Sequence, residues 1–237
     1  RKEIKPLRKE PENKLIDYLG WHKQNEDYFF VGLPLLSGRL SGKKKSLIRD
    51  LVEENDLNLR LTPNQDILLC NIPNKNKSKI KKALKKIGYD NLNDINEIQR
   101  HALACPALPL CGLAMTEAER ILPEVLTRIE NLLTDMNIEK TILFRMTGCP
   151  NGCTRPYMAE LALVGSGQNK YQLWLGGSKN LQRLAKPYLQ RMELDDLEKT
   201  IQPLLEFWKK NSAEKDFGDF INNQKESFIT NLLSEIN

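Results

Sequence analysis

Cysteine and histidine are scarce in this chain, with five and two residues among 237. So few cysteines argue against the dense, even framework of a small disulfide-stapled secreted domain. Neither His22 nor His101 has a second histidine, cysteine or carboxylate at ligand spacing, although His101, four residues before Cys105, is placed to hydrogen-bond near it. No apolar run approaches the length that spans a bilayer, and no leader-like segment precedes the first apolar motifs. These absences lead to the expectation of a soluble chain in a reducing compartment.

What is present in quantity is lysine. The net charge is +5, with basic runs at Lys43-Lys44-Lys45 and between Lys75 and Lys86. Such runs can mark a nucleic-acid surface. The reading preferred here is a solvated helix face or a docking surface for an acidic electron donor. With 40% hydrophobic residues over this length, the chain can bury one large core or two small ones.

Four of the five cysteines fall in two short segments rich in proline and glycine: Cys105-Pro-Ala-Leu-Pro-Leu-Cys111, and Cys149-Pro-Asn-Gly-Cys153 about forty residues on. Three readings compete for them. Disulfides need an oxidising compartment. A four-cysteine zinc site more often shows C-x2-C knuckles than the C-x5-C and C-x3-C gaps found here. An iron–sulfur cube also takes four thiolates and tolerates varied spacing, and it is preferred over zinc and over buried or redox cysteines. Pro150 fixes and Gly152 frees the backbone around Cys149 and Cys153, so both sulfurs can turn to one centre. Backbone N–H groups in such a turn offset thiolate charge. Cys70, at the end of the apolar run Ile67–Cys70, is expected in the core and not among the ligands.

The apolar patterning suggests an α+β chain. Strands are expected over Tyr28–Leu33, Leu57–Leu61 and Ile67–Ile72, with helices over Ser46–Glu54 and from a Ser78 cap to Gly88. In the second region Thr116-Glu-Ala-Glu119 reads as a capping box opening a helix through Leu132, bent near Pro123. Strands follow over Thr141–Met146, Glu160–Val164 and Tyr171–Leu175. A short helix is expected over Leu181–Leu189, a longer one from near Asp195 through Trp208, and a last one around Phe228–Leu233. Trp174 and Trp208 are expected in the core. The second cysteine pair thus follows a strand directly, where open α/β sheets commonly bind ligands.

Thr147-Gly-Cys-Pro-Asn-Gly-Cys153 with Arg155-Pro-Tyr-Met-Ala-Glu160, preceded by Cys105-x5-Cys111, resembles the C-terminal half of the siroheme/[4Fe-4S] sulfite and nitrite reductases. The form is closer to the ferredoxin-dependent sulfite reductases. Leu19-Gly-Trp-His22, Ser37-Gly-Arg39, Arg60-Leu-Thr-Pro-Asn-Gln65, Thr116-Glu-Ala-Glu-Arg120, Leu173-Trp-Leu-Gly-Gly177 and Phe217-Gly-Asp219 are similar to the family in the same order. The resemblance implies a linker at 1–14, a ferredoxin-like half-domain at 15–93, and at 94–237 an α/β iron–sulfur/siroheme domain with a mixed sheet. It implies Cys105, Cys111, Cys149 and Cys153 as ligands of one [4Fe-4S] cluster, with Cys153 shared with the siroheme iron. Asn151, Arg60, Asn64, Gln65 and Arg155 would face the siroheme, and Arg39 is a further candidate. A guanidinium such as that of Arg155 suits a carboxylate, and the polar alternation of Arg60 and Thr62 about Leu61 suits a sheet face lining a polar cofactor.

The same resemblance implies a six-electron reduction of sulfite to sulfide, ferredoxin as donor, and a cytoplasmic or plastid-stromal location. The N-terminal half that supplies the substrate-binding cations in the family is absent from this sequence, so a complementing polypeptide is implied and catalytic residues stay unassigned. A siroheme nitrite reductase portion and a non-enzymatic iron–sulfur electron-transfer module remain as alternatives.

Overall fold

The computed structural model describes residues 17–92, 95–212 and 215–234, so the linker expected over 1–14 lies outside the described residues. The first sheet is antiparallel and four-stranded: β1 (Gly20–Lys23), β2 (Tyr28–Leu33), β3 (Asn58–Leu61) and β4 (Ile67–Pro73), in the order β1-β2-β4-β3. Alternation puts Val31, Leu33, Ile67 and Leu69 on its inner face. They pack against Ile48 and Leu51 of α1 (Gly42–Glu54) and Ile80 and Leu84 of α2 (Lys77–Lys86). Cys70 is buried in β4. The edge strand β3 is exposed along its whole length, with Leu61 79% exposed.

The expected Ser78 cap does not form. A 3-10 turn at Asn74–Asn76, which begins after Pro73, has already wound the chain, so α2 starts at Lys77 and Ser78 lies inside it. Strand β1 was not anticipated; its four residues, Gly-Trp-His-Lys, carry no clear alternation.

The second sheet runs β5 (Leu103–Ala104), β6 (Phe144–Thr147), β7 (Leu161–Gly167), β8 (Lys170–Leu175) and β9 (Lys186–Glu193), in that order. Strands β5, β6 and β7 are parallel, whereas β8 pairs antiparallel with both β7 and β9, which makes the sheet mixed as expected. Phe144, Met146, Leu161, Leu163 and Leu173 turn one face toward α4 (Leu122–Asp135) and α5 (Leu197–Ser212), in one core with Val125, Ile129, Ile201, Leu205 and Trp208. The short helices α3 (Glu97–His101), α6 (Phe217–Asn222) and α7 (Glu226–Ser234) complete the fold. Trp208 is fully buried, and Trp174 packs half-buried against Leu143, Ala159 and Ala162 on the opposite face.

Two helical expectations are corrected. Residues 181–189 form no helix: Leu181 takes a positive φ of 64°, and Lys186–Glu193 extends as β9, where pairing with β8 prevails over the apolar spacing. Thr116 caps no helix either, because its hydroxyl donates to the Tyr171 phenol (3.0 Å). The helix begins only at Leu122, with Pro123 in its first turn, where a missing N–H costs nothing.

Glu160 ties these layers together. Its carboxylate is wholly buried and accepts the N–H groups of Leu143 and Gly218, both at 2.8 Å. Burial pushes its pKa up from 4.5 to about 7, against the pull of those two bonds. Between these values the folded chain keeps a proton that the unfolded chain has released. The associated stability is therefore full below pH 4.5 and is lost as pH rises through about 7, by about 3 kcal/mol in all. Asp66, raised to about 6 by burial, contributes with the same sign. Urea unfolding at pH 5 and pH 8 should show the fall, and Glu160→Gln should flatten the part of it that Asp66→Asn leaves. A Glu160→Gln chain with the parent's pH slope would place the effect elsewhere.

Candidate metal centre

The two cysteine segments meet because β5 and β6 are neighbouring parallel strands, with Ala104 beside Met146. Cys105 follows the last residue of β5, and Cys149 lies two residues past the end of β6. Both loops therefore leave the sheet side by side at its carboxyl edge, a position where α/β sheets place ligands.

Backbone hydrogen bonds join the loops. The Gly148 carbonyl accepts the N–H groups of Met115 (2.8 Å) and Thr116 (3.3 Å), and the Cys105 carbonyl accepts that of Glu119 (3.1 Å). The first loop turns on the Ala107 carbonyl, which accepts from Leu110 and Cys111 at 3.0 and 2.8 Å. The second is held from below by Thr154, whose hydroxyl donates to the Met146 carbonyl (3.0 Å), and by Thr147, whose hydroxyl donates to that of Cys149 (3.1 Å). Gly152 takes φ +65°, a conformation that glycine adopts without strain.

All five cysteines are free thiols; Cys105 and Cys149 are buried, Cys111 is half-buried and Cys153 is exposed. The Gly148 N–H points at Cys105 Sγ, 3.3 Å away. Burial pushes the Cys105 thiol up, the N–H groups of Gly148 and Ala107 pull it down, and Cys153 and Cys149 push it up again. Cys149 and Cys153 thus both lie within electrostatic reach of Cys105. Four thiols on two loops, with an N–H already aimed at one sulfur, are a donor set that fits a thiolate-ligated cluster. Among the described residues no group of three or more His, Cys, Asp or Glu side chains is gathered around a single-ion position.

The other expected site residues divide. The turn 62–66 of the first sheet is drawn against the base of the cysteine loops. Gln65, at φ +66°, donates from Nε2 to the Ala104 carbonyl (3.0 Å), while its Oε1 is buried without a partner. Arg155, at φ 56°, donates from Nη2 to the Pro63 carbonyl (3.1 Å). Asn64 bonds through its own N–H to Thr62 Oγ1, Arg60 sits on the exposed edge strand, and Asn151 is exposed. Arg39 forks onto the Glu119 carboxylate, one arm at 2.8 Å, across the rim of a cavity of about 320 Å³ lined by Ser37, Thr62, Gln65 and Pro106. His101 instead borders a small cavity with Asp17, Tyr18 and Thr62, and burial lowers its pKa. His22 bonds the Leu19 carbonyl and stacks on Phe30.

Sequence reasoning missed Glu119, the partner of Arg39, and Arg145, which is 1% exposed in β6 and donates to the Arg155 carbonyl (3.1 Å). A lone charge in the apolar run Thr141–Met146 was the available signal.

The family profile of the nitrite/sulfite reductase ferredoxin-like half domain matches residues 22–87. A sulfite reductase [ferredoxin] of Synechococcus elongatus is 46% identical over 225 residues, covering 92% of this chain and 36% of its own length. The sulfite reductase [NADPH] hemoprotein beta-component of Methylocella silvestris is 38% identical over 86% of this chain and 36% of its own. The chain therefore spans little more than a third of the curated relatives it matches. Among solved structures, the Mycobacterium tuberculosis NirA protein is similar in fold, with a TM-score of 0.76 at 22% identity, covering 93% of this chain and 42% of that one.

Proposed function

We propose, from the profile match over residues 22–87 and the 46% identity to a sulfite reductase [ferredoxin], that the chain is the cluster-bearing C-terminal portion of a sulfite reductase, with residues 15–93 and 94–237 as its two units. The observation that carries this reading is the side-by-side exit of the Cys105 and Cys149 loops from neighbouring parallel strands, where four thiols can serve one centre. Cys105, Cys111, Cys149 and Cys153 would hold a [4Fe-4S] cluster, and a siroheme would lie against Cys153, Asn151, Arg155 and the turn 60–65. When bound, this pair supplies low-potential electrons and an iron that binds sulfite.

The chain's own part is positioning and charge. The Gly148 N–H offsets thiolate charge at Cys105. Gln65 and Arg155, each bonded across to the other unit, hold the turn 62–66 in place beside the thiols. The substrate-binding cations would come from the remainder of the polypeptide. Ferredoxin is the favoured donor, since the relative named for it is more similar than those named for NADPH. The lysine face of α2, with Lys81, Lys82, Lys85 and Lys86 exposed, suits an acidic protein of that kind.

Metal analysis tests the reading. The anaerobically purified chain should carry iron and acid-labile sulfide in near-equal amounts, and siroheme absorption bands should appear once the rest of the enzyme is added. Stoichiometric zinc, or iron that survives Cys111→Ser but not Cys70→Ser, would overturn the ligand set.

A further inference from the structure

Among the described residues Arg145 is the only fully buried cation. The alternation of β6 sends Phe144 and Met146 into the main core, so Arg145 points to the opposite face of the sheet. Its Nη1 donates to the Arg155 carbonyl, its Nε has no acceptor, and no described carboxylate pairs with it. The charged or titratable groups that act on it are the Arg155 guanidinium, of the same sign, and the Tyr157 phenol. Burial and Arg155 push its pKa down to about 10, so it remains a cation at neutral pH.

A buried cation without a counter-ion is among the heavier penalties a fold can carry. Its location points to what offsets that penalty. The guanidinium holds the carbonyl of the second residue past Cys153. The Tyr157 ring near it also lies against Gly152, where an added Cβ would come within 3.1 Å of Cε1. The charge thus sits against the segment by which the chain leaves Cys153, in protein rather than in water, where screening is weak.

We propose that Arg145 is a positioning residue for the redox centre held by the cysteine loops: a built-in counter-charge that raises the centre's reduction potential while its hydrogen bond fixes the exit of the loop. The sign follows from charge, because the one-electron reduction of a thiolate-bound cluster adds a negative charge that a nearby fixed cation favours. This proposal rests on the cluster reading given above.

The test compares Arg145→Met and Arg145→Lys with the parent 237-residue chain. In the iron-loaded chains, midpoint potentials are read by mediated titration with spectroscopic detection. Arg145→Met should shift the oxidised-to-reduced equilibrium about tenfold toward the oxidised form, which for one electron is a potential lower by about 59 mV. Arg145→Lys should stay within about threefold of the parent. A merely structural arginine would alter iron retention and leave the midpoint of the loaded fraction unmoved, and that result overturns the proposal.

The metal-free chains give an arm that does not depend on the cluster. Removing an uncompensated buried charge should let Arg145→Met melt at or above the parent temperature. A lower melting temperature, or failure to fold, overturns the counter-charge argument. If the parent takes up no iron at all, the cluster reading fails by itself, and this melt alone decides whether Arg145 is uncompensated.

Discussion

Gly148→Ala should leave the chain with less than about a tenth of the parent's iron and should lower its melting temperature by roughly 6–12 °C, the shift expected for about 3 kcal/mol of overpacking in a chain of this size. Gly148, on the second cysteine loop, packs tightly against the first. A Cβ there would lie 2.6 Å from Ala107 Cβ and 2.7 Å from the Thr116 carbonyl oxygen, with Ala114 Cβ at 3.2 Å. The backbone cannot retreat in the other direction, because Gly165 stands behind it: a Cβ on Gly165 would meet the Gly148 carbonyl at 2.3 Å. The added methyl must therefore part the loops. Parting them breaks the bonds from Met115 and Thr116 to the Gly148 carbonyl and the N–H donation to Cys105 Sγ together. Iron per chain and a thermal melt on the same preparation check this result. Full iron with an unchanged melt would mean that the loops do not need this spacing.

Why Gly148 matters is invisible in the sequence, and the reason separates what could be read there from what could not. The cysteine spacing, with its prolines and glycine, singled out four thiols from local sequence alone. That they lie on neighbouring strands depends on β5 being two residues long, too short to carry a periodic signal. Strands that show as short apolar runs bounded by turn residues, Tyr28–Leu33 and Ile67–Ile72, were legible. The stretch Leu181–Leu189 was misread, because apolar residues at helical spacing there belong partly to a loop and partly to β9, and strand pairing decided the outcome. Thr116 was misread for a related reason. The capping pattern was present, but the hydroxyl found a tertiary partner in Tyr171, 55 residues away.

The roles of Arg39 and Arg145 were illegible in a different sense. Both are defined by what stands opposite them across the fold: a carboxylate on the far side of a cavity for Arg39, and the absence of any described carboxylate for Arg145. The lone charge in the run Thr141–Met146 marks Arg145 as unusual, but neither condition can be read from local sequence.

The second large effect is expected at Cys153. If the chain is the cluster-bearing portion proposed above, Cys153→Ser in the completed enzyme should lose at least about a hundredfold more turnover than Asn151→Ala, since altering a neighbour that hydrogen-bonds near a metal ligand usually costs about 10–100-fold, while removing the ligand removes the connection itself. Exposure carries the argument. Cys105 and Cys149 are buried and Cys153 is exposed, so on the proposed reading the Cys153 thiolate is the one that a second group could reach while it holds a cluster. Asn151, between the two cysteines, is also exposed, and its amide would add only a contact at a cofactor edge. The readouts are turnover with reduced ferredoxin and the absorption spectrum of the loaded enzyme, which should lose its sign of coupling between the two centres in Cys153→Ser and keep it in Asn151→Ala. A Cys153→Ser enzyme with the parent's spectrum and turnover would assign the shared thiolate to another residue. Cys149 would be the first candidate, and because it is buried, the loop would then have to open before a second group could reach its sulfur.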